Sequence, residues 1–386
     1  MSRTATVASR LHDLENHLGL ICDASYVRHQ KSNNNAYQRK SYSGQKKTHL
    51  CKPFTICTTD GYVVDVAGPF TANKNDAQIL EHLMSDPNGL VKILREGDTF
   101  ILDRGFRDVT SLLEEKGYKV LMPVLKGKRN QLTTAESNQS RLVTKIRWVV
   151  EAVHGIIGQK FKLLHHQLHN SILKNAGLYC KIACLLHNLF GKRLNSDSGR
   201  LDQIIDRINA SKDLENTLAQ EVEDNNWNRK TVPFQSLSST EILDFPEMTI
   251  ENLKIFFTGS YQLSQAVSYL SEMLEEDNTL RLSYAKEQHD IIRFEVRSRH
   301  INSKVYKSYL QYQPDSVGLN GVRRYCCNCA NGNRTIGCCS HIAAIVFYLS
   351  HARYLSRIIR PAEILTTLFD FEEVTPVIEE DSDEED

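Results

Sequence analysis

The sequence predicts an α/β protein in which a mixed β-sheet is covered by helices and a small zinc-binding module follows. Two observations lead to this prediction. In the first two hundred residues, strand-like and helix-like segments occur in the order β-β-β-α-β-α-β-α, which is typical of a mixed sheet with flanking helices. Between Cys326 and His341, five cysteines and a histidine crowd together, as expected of a metal-binding segment.

The first three segments are strand-like. The apolar stretch LGLICDASYV runs past Asp23. LCKPFTICTT and YVVDVAGPF lie on either side of Asp60-Gly61, and an Asp-Gly pair between β-rich runs is a strong hairpin signal. We therefore predict a buried strand followed by a two-stranded hairpin.

Helices and strands alternate after the hairpin. NKNDAQILEHLMSD and FRDVTSLLEEKG have helical spacing, whereas DTFILD, which ends at Asp103, and YKVLMPV are short apolar strands. A long helical pattern then runs from about Thr133 to Gly158, and residues 165–193 are helical and apolar on one side. Together these segments complete the predicted sheet and its helical cover.

Four regions are predicted along the chain. The α/β domain covers residues 20–193, and a polar, acidic linker with one amphipathic helix around LDQIIDRI covers residues 194–250. A second module covers residues 251–360 and contains the cysteine cluster. Residues 370–386 form an acidic, disordered tail.

Composition is that of an ordinary soluble globular protein, with 41% hydrophobic and 24% charged residues in a chain of 386. No apolar run of about 20 residues occurs, which excludes a membrane-spanning helix, and the N-terminus lacks the apolar core of a signal peptide. Ten cysteines without a secretory signal indicate a reducing compartment.

Charge is unevenly distributed although the formal net charge is +0. The segment from Arg28 to Lys52 contains basic residues and no acidic one. Such a segment suits a polyanion, although a solubilising surface would have the same composition. Its basic residues are Arg28, Lys31, Arg39, Lys40, Lys46, Lys47 and Lys52.

Three carboxylates are candidates for a metal-binding site. Asp23 lies within the first predicted strand, Asp103 ends the fourth, and Glu151 lies on the long helix. A carboxylate in an apolar strand is costly unless it is paired or binds a cation. Oxygen ligands favour Mg²⁺ or Mn²⁺, and a pair of such ions can support phosphodiester cleavage.

Glu136 competes with Glu151 as the third acid. Thr133 stands three residues before Glu136, which is the spacing of a helix capping box and explains Glu136 structurally. Glu151 borders an apolar stripe inside the helix, although a merely solvated helical glutamate fits the same pattern. Periodicity therefore favours Glu151 only slightly.

The cysteine cluster has the spacing of a closed zinc site. Cys327 and Cys329 form a Cys-x-Cys pair, and Cys339 and His341 form a Cys-x-His pair. Three thiolates and an imidazole fill the four positions of a structural Zn²⁺ ion. Cys338 could replace Cys339 as a ligand, and a set of buried free cysteines is the alternative interpretation.

Two other sets of residues are better explained by packing in the protein core than by metal or nucleic-acid binding. Cys180, Cys184 and His187 share a helical face, which suits an apolar core more readily than a metal. Tyr306, Tyr309 and Tyr312 alternate with basic residues, but their period-three spacing is that of packing.

Three blocks of the first domain resemble the catalytic domain of Harbinger-type DDE transposases and their domesticated relatives. They are CDASYVRHQKSNNNAYQRKSYSGQKKTHLCKPFTICTTDGYVVDVAGPF, DTFILDRGFRD and TTAESNQSRLVTKIRWVVEAVHGIIGQKFKLL, within residues 20–190. The resemblance implies a ribonuclease-H-like fold. It also implies that Asp23, Asp103 and Glu151 form the catalytic triad that binds the divalent cation.

The implied activity is that of a transposase-derived, metal-dependent DNA endonuclease that uses Mg²⁺ or Mn²⁺. It hydrolyses a phosphodiester, and the freed 3′-hydroxyl can then attack target DNA. Phosphate contacts would supply affinity without sequence choice, and the nucleus is the expected compartment. The expected DNA-binding residues are Arg28, Lys31, Arg39, Lys40, Lys46, Lys47, Arg104 and Arg107.

The chain departs from the family at its N-terminus. Relatives usually carry a DNA-reading domain before the catalytic one, and residues 1–19 are too short for it. This suggests a fragment, or a separate DNA-recognition protein as partner, and a homo-oligomer is a further candidate assembly. A catalytically silent, domesticated protein that binds DNA or protein is the second hypothesis, but the presence of all three acids favours the nuclease.

The C-terminal segment resembles a SWIM-type zinc finger over about residues 290–355. The similar blocks are VRSRHINSKVYKSYLQY, RYCCNC and RTIGCCSHIAAIVFYLSHAR. The resemblance implies that the finger, with Cys327, Cys329, Cys339 and His341 on zinc, binds DNA or protein.

Overall fold

The protein was analysed as a computed structural model, which describes residues 11, 12, 14, 17–194, 200–229, 234–273, 281–285, 288–298 and 303–355. The chain divides into two compact units. The first contains Met1–Leu125 and Ser140–Ser198, and the second contains Lys126–Gln139 and Gly199–Val374. The predicted acidic tail, residues 370–386, lies outside the described residues.

The first unit is built on a mixed sheet of seven strands. Its central order is β2-β4-β1-β6-β7, and β3 and β5 also pair with β4. β1 is antiparallel to β4 and parallel to β6, which is parallel to β7. The strands are β1 (Gly19–Ala24), β2 (Val27–Arg28), β3 (Tyr42–Ser43), β4 (Thr48–Thr58), β5 (Val63–Thr71), β6 (Thr99–Ile101) and β7 (Lys119–Leu121).

Helices cover both faces of this sheet because successive strand residues point to opposite sides and both sets are apolar. Leu20 and Cys22 of β1 pack in one cluster of buried residues and Ile21 packs in another. The helices of this part of the chain are α1 (Asn35–Ser41), α2 (Asp76–Met84), α3 (Thr110–Glu115), α4 (Thr134–Lys160), α5 (Lys162–His165) and α6 (Ala176–Phe190).

The long helix α4 begins in the capping box predicted from the sequence. The backbone N–H of Glu136 donates to Oγ1 of Thr133 at 3.3 Å, and the N–H of Thr133 donates to Oε2 of Glu136 at 3.0 Å. Arg129 also pairs with Glu136 at 2.8 Å. Glu136 therefore has a structural role at the helix start, and its hydrogen bonds, Arg129 first, lower the pKa of its carboxyl group.

The second unit combines an antiparallel sheet with helices. The strand order is β12-β11-β10-β9-β8, and the largest cluster of buried apolar residues includes Phe256, Phe294 and Ile345. The strands are β8 (Phe234–Ser238), β9 (Arg281–Ala285), β10 (Gln288–Arg297), β11 (Val305–Tyr312) and β12 (Val322–Cys327). The helices are α7 (Leu201–Ser211), α8 (Thr217–Asp224), α9 (Ile250–Phe256), α10 (Tyr261–Met273) and α11 (Ser340–Ser350).

Much of the segment predicted as a linker, residues 194–250, is folded. The helix predicted around LDQIIDRI is α7, and α8 and β8 follow it. The apolar residues of α7, Leu201, Ile204, Ile205 and Ile208, are all buried. The helix α8 was not predicted, because it buries Leu218 and Val222, an apolar pattern too short to be recognised in a polar segment.

The predicted fold class is confirmed: a mixed sheet of parallel and antiparallel strands is flanked by helices, and a Cys/His cluster that could bind zinc lies near the C-terminus. The order of the main strands and helices in the first unit also agrees with the predicted order. Across the described residues, the helices are all too short or too polar to cross a membrane.

Candidate active site and metal centre

Two neighbouring parallel strands position Asp23 and Asp103. In the pairing of β1 with β6, Ile21 lies opposite Ile101, and each aspartate follows two residues later. The carboxyl ends of parallel strands meet at the same edge of a sheet, so the two aspartates lie at equivalent positions there. Asp103 also caps the 3-10 helix that starts at Arg104, because its Oδ1 accepts from Gly105 N at 2.8 Å.

Helix α4 brings Glu151 to this edge. Ile21 and the α4 residues Val150 and Val153 belong to one cluster of buried residues, and Asp23, two residues further along β1, points to the same side as Ile21. His154, one turn beyond Glu151, contacts Asp23 directly, with 3.7 Å between Nδ1 and Oδ2. The three predicted acids therefore come from β1, the end of β6 and α4.

Arg147 holds Glu151 on the surface of α4. The guanidinium NH1 lies 2.6 Å from Oε1 of Glu151, one helical turn away, and both side chains are largely buried. A charge-assisted hydrogen bond of this length fixes the rotamer of the glutamate. Arg147 also acts on Asp23, whose pKa its positive charge lowers.

A fourth carboxylate, Asp76, belongs to the same cluster and was missed in the sequence. Asp76 is the first residue of α2, after the cap Asn75. Lys52 lies 2.6 Å from it and also donates to Lys74 O at 3.0 Å. The Asn-Asp pair before an apolar helical pattern marked a helix start, but only the tertiary fold places that start beside the other acids.

Lys52 is consequently not a surface cation. The sequence grouped it with the basic segment that suits a polyanion, yet only 6% of its surface is exposed. Its position in the middle of β4, where most residues are buried, explains the difference. The ammonium group neutralises Asp76 within the protein.

The electrostatics show that the acids act on one another. Burial, followed by the charges of Asp76 and Asp103, raises the pKa of Asp23 well above its usual value, and Glu151 raises it further. Burial also raises the pKa of Asp76, which Lys52 lowers and Asp103 raises. Such a cluster of incompletely neutralised carboxylates is the donor set that a hard divalent cation stabilises.

His154 is the other site residue that the sequence did not reveal. Burial lowers the pKa of its imidazole to about 4, so the ring is neutral near pH 7. Its Nε2 atom is buried and has no hydrogen-bond partner among the described residues. Its position three residues after Glu151 places it on the same side of α4, which is the only signal that the sequence offered.

The carboxylates lie around one edge of the sheet but are not close enough together to coordinate one cation jointly. Only one group of three or more potential metal ligands in the described residues has all its ligand atoms within 4.8 Å of one another. This group is the C-terminal Cys/His cluster and not the carboxylates. Glu151 is held by Arg147, and Asp76 by Lys52. Joint coordination of a cation therefore requires the carboxylates to move closer together.

Most of the predicted DNA-binding residues are accessible. Arg28, Lys31, Arg39, Lys40, Lys47 and Arg107 are exposed, and Lys46 and Arg104 are half-buried. Lys46 lies over the ring of Tyr26, 5.4 Å from its centroid. Arg107 is 3.4 Å from Asp108. Their placement is compatible with phosphate contacts.

The four predicted zinc ligands come together in the second unit. Cys327, Cys329, Cys339 and His341 are all buried. Nδ1 of His341 lies 3.5 Å from Sγ of Cys327 and 3.9 Å from Sγ of Cys339. A tetrahedral Zn²⁺ ion holds sulfur and nitrogen ligands about 3.6 Å apart, so the cluster fits this ion.

The loop after β12 forms a tight knuckle around the first two cysteines. Cys327 N donates to Gly332 O at 3.1 Å, and Gly332 N donates to Cys329 O at 3.0 Å. A Cβ atom on Gly332 would overlap the carbonyl group of Cys327. The side-chain amide of Gln131 donates to Cys327 O at 2.5 Å and to Cys329 O at 2.9 Å, which stabilises the knuckle.

The second pair of ligands lies at the start of α11. Cys339 is the N-cap residue of this helix, and His341 is its second residue. The ring of His341 packs between Tyr269 and Tyr306, with centroid distances of 4.9 and 4.7 Å. These contacts fix the imidazole so that Nδ1 faces the sulfur atoms.

Strand alternation resolves the uncertainty about the neighbouring cysteines. Cys326 precedes Cys327 in β12 and therefore points to the other side of the strand, where it packs in a cluster with Trp227 and Tyr309. Cys338 is 1% exposed and lies in the large core cluster. Neither is part of the group of four potential ligands.

The protonation states within the cluster depend on one another. Burial raises the pKa of Cys327 well above its usual value. Burial also opposes ionisation of Cys339, but hydrogen bonds from Cys327, Cys329 and His341 outweigh it and hold the pKa of Cys339 well below its usual value. A thiolate stabilised by three neighbours is the form that binds metal.

The remaining candidates pack as expected. Cys180, Cys184 and His187 are buried on the inner side of α6, and no group of potential ligands in the described part of the chain includes them. Tyr309 is 1% exposed and donates to Trp227 O at 2.8 Å, and Tyr312 donates to Asp244 at 2.9 Å. These two tyrosines are therefore unavailable for stacking on bases.

Residues 22–188 match the family model described as DDE superfamily endonuclease. The matched segment contains Asp23, Asp103 and Glu151 and ends before the cysteine cluster. Comparisons with curated proteins and with solved structures returned no significant match.

Proposed function

We propose that this protein is a transposase-derived, metal-dependent DNA endonuclease of the Harbinger type, with Asp23, Asp103 and Glu151 as its catalytic acids. One observation carries the proposal. Within a segment that matches a DDE superfamily endonuclease, β1, β6 and α4 bring these acids to one edge of the sheet, where the charges of Asp103 and Glu151 raise the pKa of Asp23.

The acids would hold Mg²⁺ or Mn²⁺. Such a cation supplies Lewis acidity at the scissile phosphodiester and lowers the cost of deprotonating water. The sheet and the capped 3-10 helix hold Asp23 and Asp103, and their carboxylates would supply oxygen donors after moving closer together. Glu151 would have to exchange its 2.6 Å contact with Arg147 for coordination, and the guanidinium could then donate to a phosphate oxygen.

Two further side chains of the site have supporting roles. His154 is neutral near pH 7 and orients Asp23 from α4. Lys52 neutralises Asp76, which reduces the total negative charge that a DNA phosphate meets at the site. Both residues act on the carboxylates and not on the reacting bond.

DNA would be held by its backbone. Neutralisation of several phosphates gives strong, salt-dependent affinity without sequence choice, so the DNA sequence would be read by a separate recognition protein. Strand transfer by the freed 3′-hydroxyl and nuclear localisation are part of the same proposal. The proposed phosphate contacts are Arg28, Lys31, Arg39, Lys40, Lys46, Lys47, Arg104 and Arg107.

The Cys/His cluster would be a structural zinc site in a SWIM-type finger. Its four buried ligands fill the coordination sphere of the ion, so no position remains for substrate or water. The ion would hold the knuckle after β12 to the start of α11. The finger then serves recognition and not bond cleavage.

A catalytically silent DNA- or protein-binding protein is the second candidate. Two observations favour it. Glu151 forms an ion pair with Arg147, and the described carboxylates lie farther apart than the Cys/His ligands do. In that case the zinc finger would carry the function and the acids would be a remnant of the ancestral site.

A nicking assay distinguishes the two candidates. Supercoiled plasmid is incubated with Mn²⁺ and the wild type, Asp103→Asn or Asp108→Asn. Asp108 is a matched control because it lies five residues further on, with a side chain that is 66% exposed. The nuclease proposal predicts nicking by the wild type and Asp108→Asn and a loss of at least about 1,000-fold in Asp103→Asn. Equal nicking by all three, or none by any across several substrates, would contradict it.

A further inference from the structure

Helix α6 is apolar on two opposite sides, and only one of them is buried. Its inner side packs on the first unit through small and buried residues such as Ala176, Cys180 and Ala183. Six large apolar side chains elsewhere on the helix are exposed. They are Leu178 (57%), Ile182 (44%), Leu185 (56%), Leu186 (37%), Leu189 (64%) and Phe190 (81%).

These six residues, called here the α6 stripe, form a continuous surface. Leu178, Ile182, Leu185 and Leu189 are three or four positions apart, so they follow one line along the helix. The helix has 15 residues, which corresponds to a length of about 22 Å. Native helices that are hydrophobic all round are normally buried, so the stripe has the composition of an interface.

The charges of α6 limit what could cover the stripe. Lys181 is the only Lys, Arg, Asp or Glu residue among the 15. A surface that binds nucleic acid needs several cations, and a strongly charged protein partner needs opposite charges; α6 offers only Lys181. The α6 stripe of a second copy would be a chemically matched partner, because a two-fold axis places the same apolar surface on both sides of the contact.

The area of the stripe is sufficient for a dimer. Six large apolar residues that are on average about half exposed offer roughly 600 Å² per copy, or about 1,200 Å² for two copies, which reaches the size of specific interfaces. Apolar area of this extent lies at the upper end of the largest patch that a typical monomer exposes, which is often functional.

We propose that the α6 stripe is a homodimer interface, in which α6 packs against α6 of a second copy about a two-fold axis. Leu185 lies near the middle of the stripe and close to the axis. The side chains of Leu178 and Phe190 mark its two ends. The proposal is independent of nuclease activity, because it rests on the apolar surface of α6 alone.

The first test is the mass of the full-length chain by light scattering after size exclusion. The wild type is compared with Leu185→Asp/Leu189→Asp and with the control Leu243→Asp, which changes a leucine outside the stripe that is 83% exposed. We expect the wild type and the control to have twice the chain mass of 44.1 kDa. The stripe variant should be monomeric, with a dimer dissociation constant at least 100-fold higher and an unchanged circular dichroism spectrum.

Several results would overturn the proposal. If the wild type stays monomeric at about 50 µM, no second copy covers the α6 stripe and the proposal is wrong. A folded stripe variant that remains dimeric would place the interface elsewhere. If the stripe variant loses the circular dichroism spectrum of a folded protein, the cross-linking test described next decides instead.

Cross-linking tests the geometry without introducing a charge. All ten native cysteines are buried and outside disulfides, so a single cysteine in place of Leu185 would be the accessible thiol. Mild oxidation should convert Leu185→Cys into a disulfide-linked dimer, whereas Leu243→Cys should remain monomeric on a non-reducing gel. Equal yields of linked dimer from the two variants would contradict the proposal.

Discussion

Nδ1 of His154 lies 3.7 Å from Oδ2 of Asp23, which links α4 to the first strand of the sheet at the candidate active site. Glu151, on the preceding turn of α4, is 2.6 Å from Arg147. The same helix therefore carries one of the proposed catalytic acids and contacts another. This relationship makes α4 the element on which the geometry of the acidic site depends.

Replacement of His154 by alanine should weaken metal use without unfolding the protein. Groups that orient metal ligands typically contribute 10- to 100-fold to affinity or activity, so we expect the Mn²⁺ concentration for half-maximal nicking to rise by about that factor. His154→Gln keeps a hydrogen-bonding group and should recover part of the loss. An unchanged Mn²⁺ requirement in both variants would assign the imidazole to packing.

Glu151 and Glu136 should behave oppositely when each is changed to glutamine. Glu151→Gln removes a proposed catalytic acid and should reduce nicking by at least about 1,000-fold with little loss of stability. Glu136→Gln keeps an acceptor for the capping box of α4, so nicking should persist, with a modest fall in Tm from loss of the Arg129 ion pair. The reverse pattern would show that Glu136 is the third acid.

The proposed zinc-binding knuckle should be sensitive to a single methyl group. Gly332→Ala places a Cβ atom where the carbonyl group of Cys327 lies, whereas Gly44→Ala meets no atom within 4 Å. Purified Gly332→Ala and Cys339→Ser should contain much less zinc than the wild type, and Gly44→Ala should be unaffected. Bound metal is measured by mass spectrometry, and full zinc content in Cys339→Ser would exclude that ligand.

The pH dependence of stability should reveal the raised pKa of Asp23. In the folded protein Asp23 retains its proton above the ordinary pKa of about 4, where the unfolded chain has lost it. The folded state then binds more protons, so the free energy of unfolding falls as pH rises through this window. Asp23→Asn should flatten the fall in thermal melts from about pH 4 upward, and Mn²⁺ should raise the Tm of the wild type at pH values where Asp23 is ionised. A wild-type profile identical to that of Asp23→Asn would contradict the electrostatic account.

The fold could be predicted where local patterns were strong. The Asp60-Gly61 turn, the apolar strands and the long helix predicted the order of elements, whereas the choice of Glu151 as the third acid depended mainly on the family resemblance. Asp76, Lys52 and His154 could not be found in this way, because their pairing depends on which surfaces meet in the folded chain. In the polar segment after residue 194, the helix around LDQIIDRI could be predicted, but α8 could not, because it buries only a short apolar pattern, Leu218 and Val222.

The proposed zinc ligands show that a local rule was sufficient to decide between Cys326 and Cys327 but not to exclude Cys338. Adjacent residues of a strand point to opposite sides, so Cys326 and Cys327 could not both be ligands once β12 was recognised as a strand. Cys338 differs because it precedes the helix α11 and lies outside any strand. Its exclusion depended on the three-dimensional packing of the core.

Anomalous diffraction from crystals soaked in Mn²⁺ tests the central claim most directly. The account predicts a manganese peak among the carboxylates of Asp23, Asp103 and Glu151, with Glu151 released from Arg147, and a separate zinc peak at the Cys/His cluster. A map with the zinc peak but without density for manganese between the three acids, at a Mn²⁺ concentration that saturates nicking, would contradict the assignment of the acidic site.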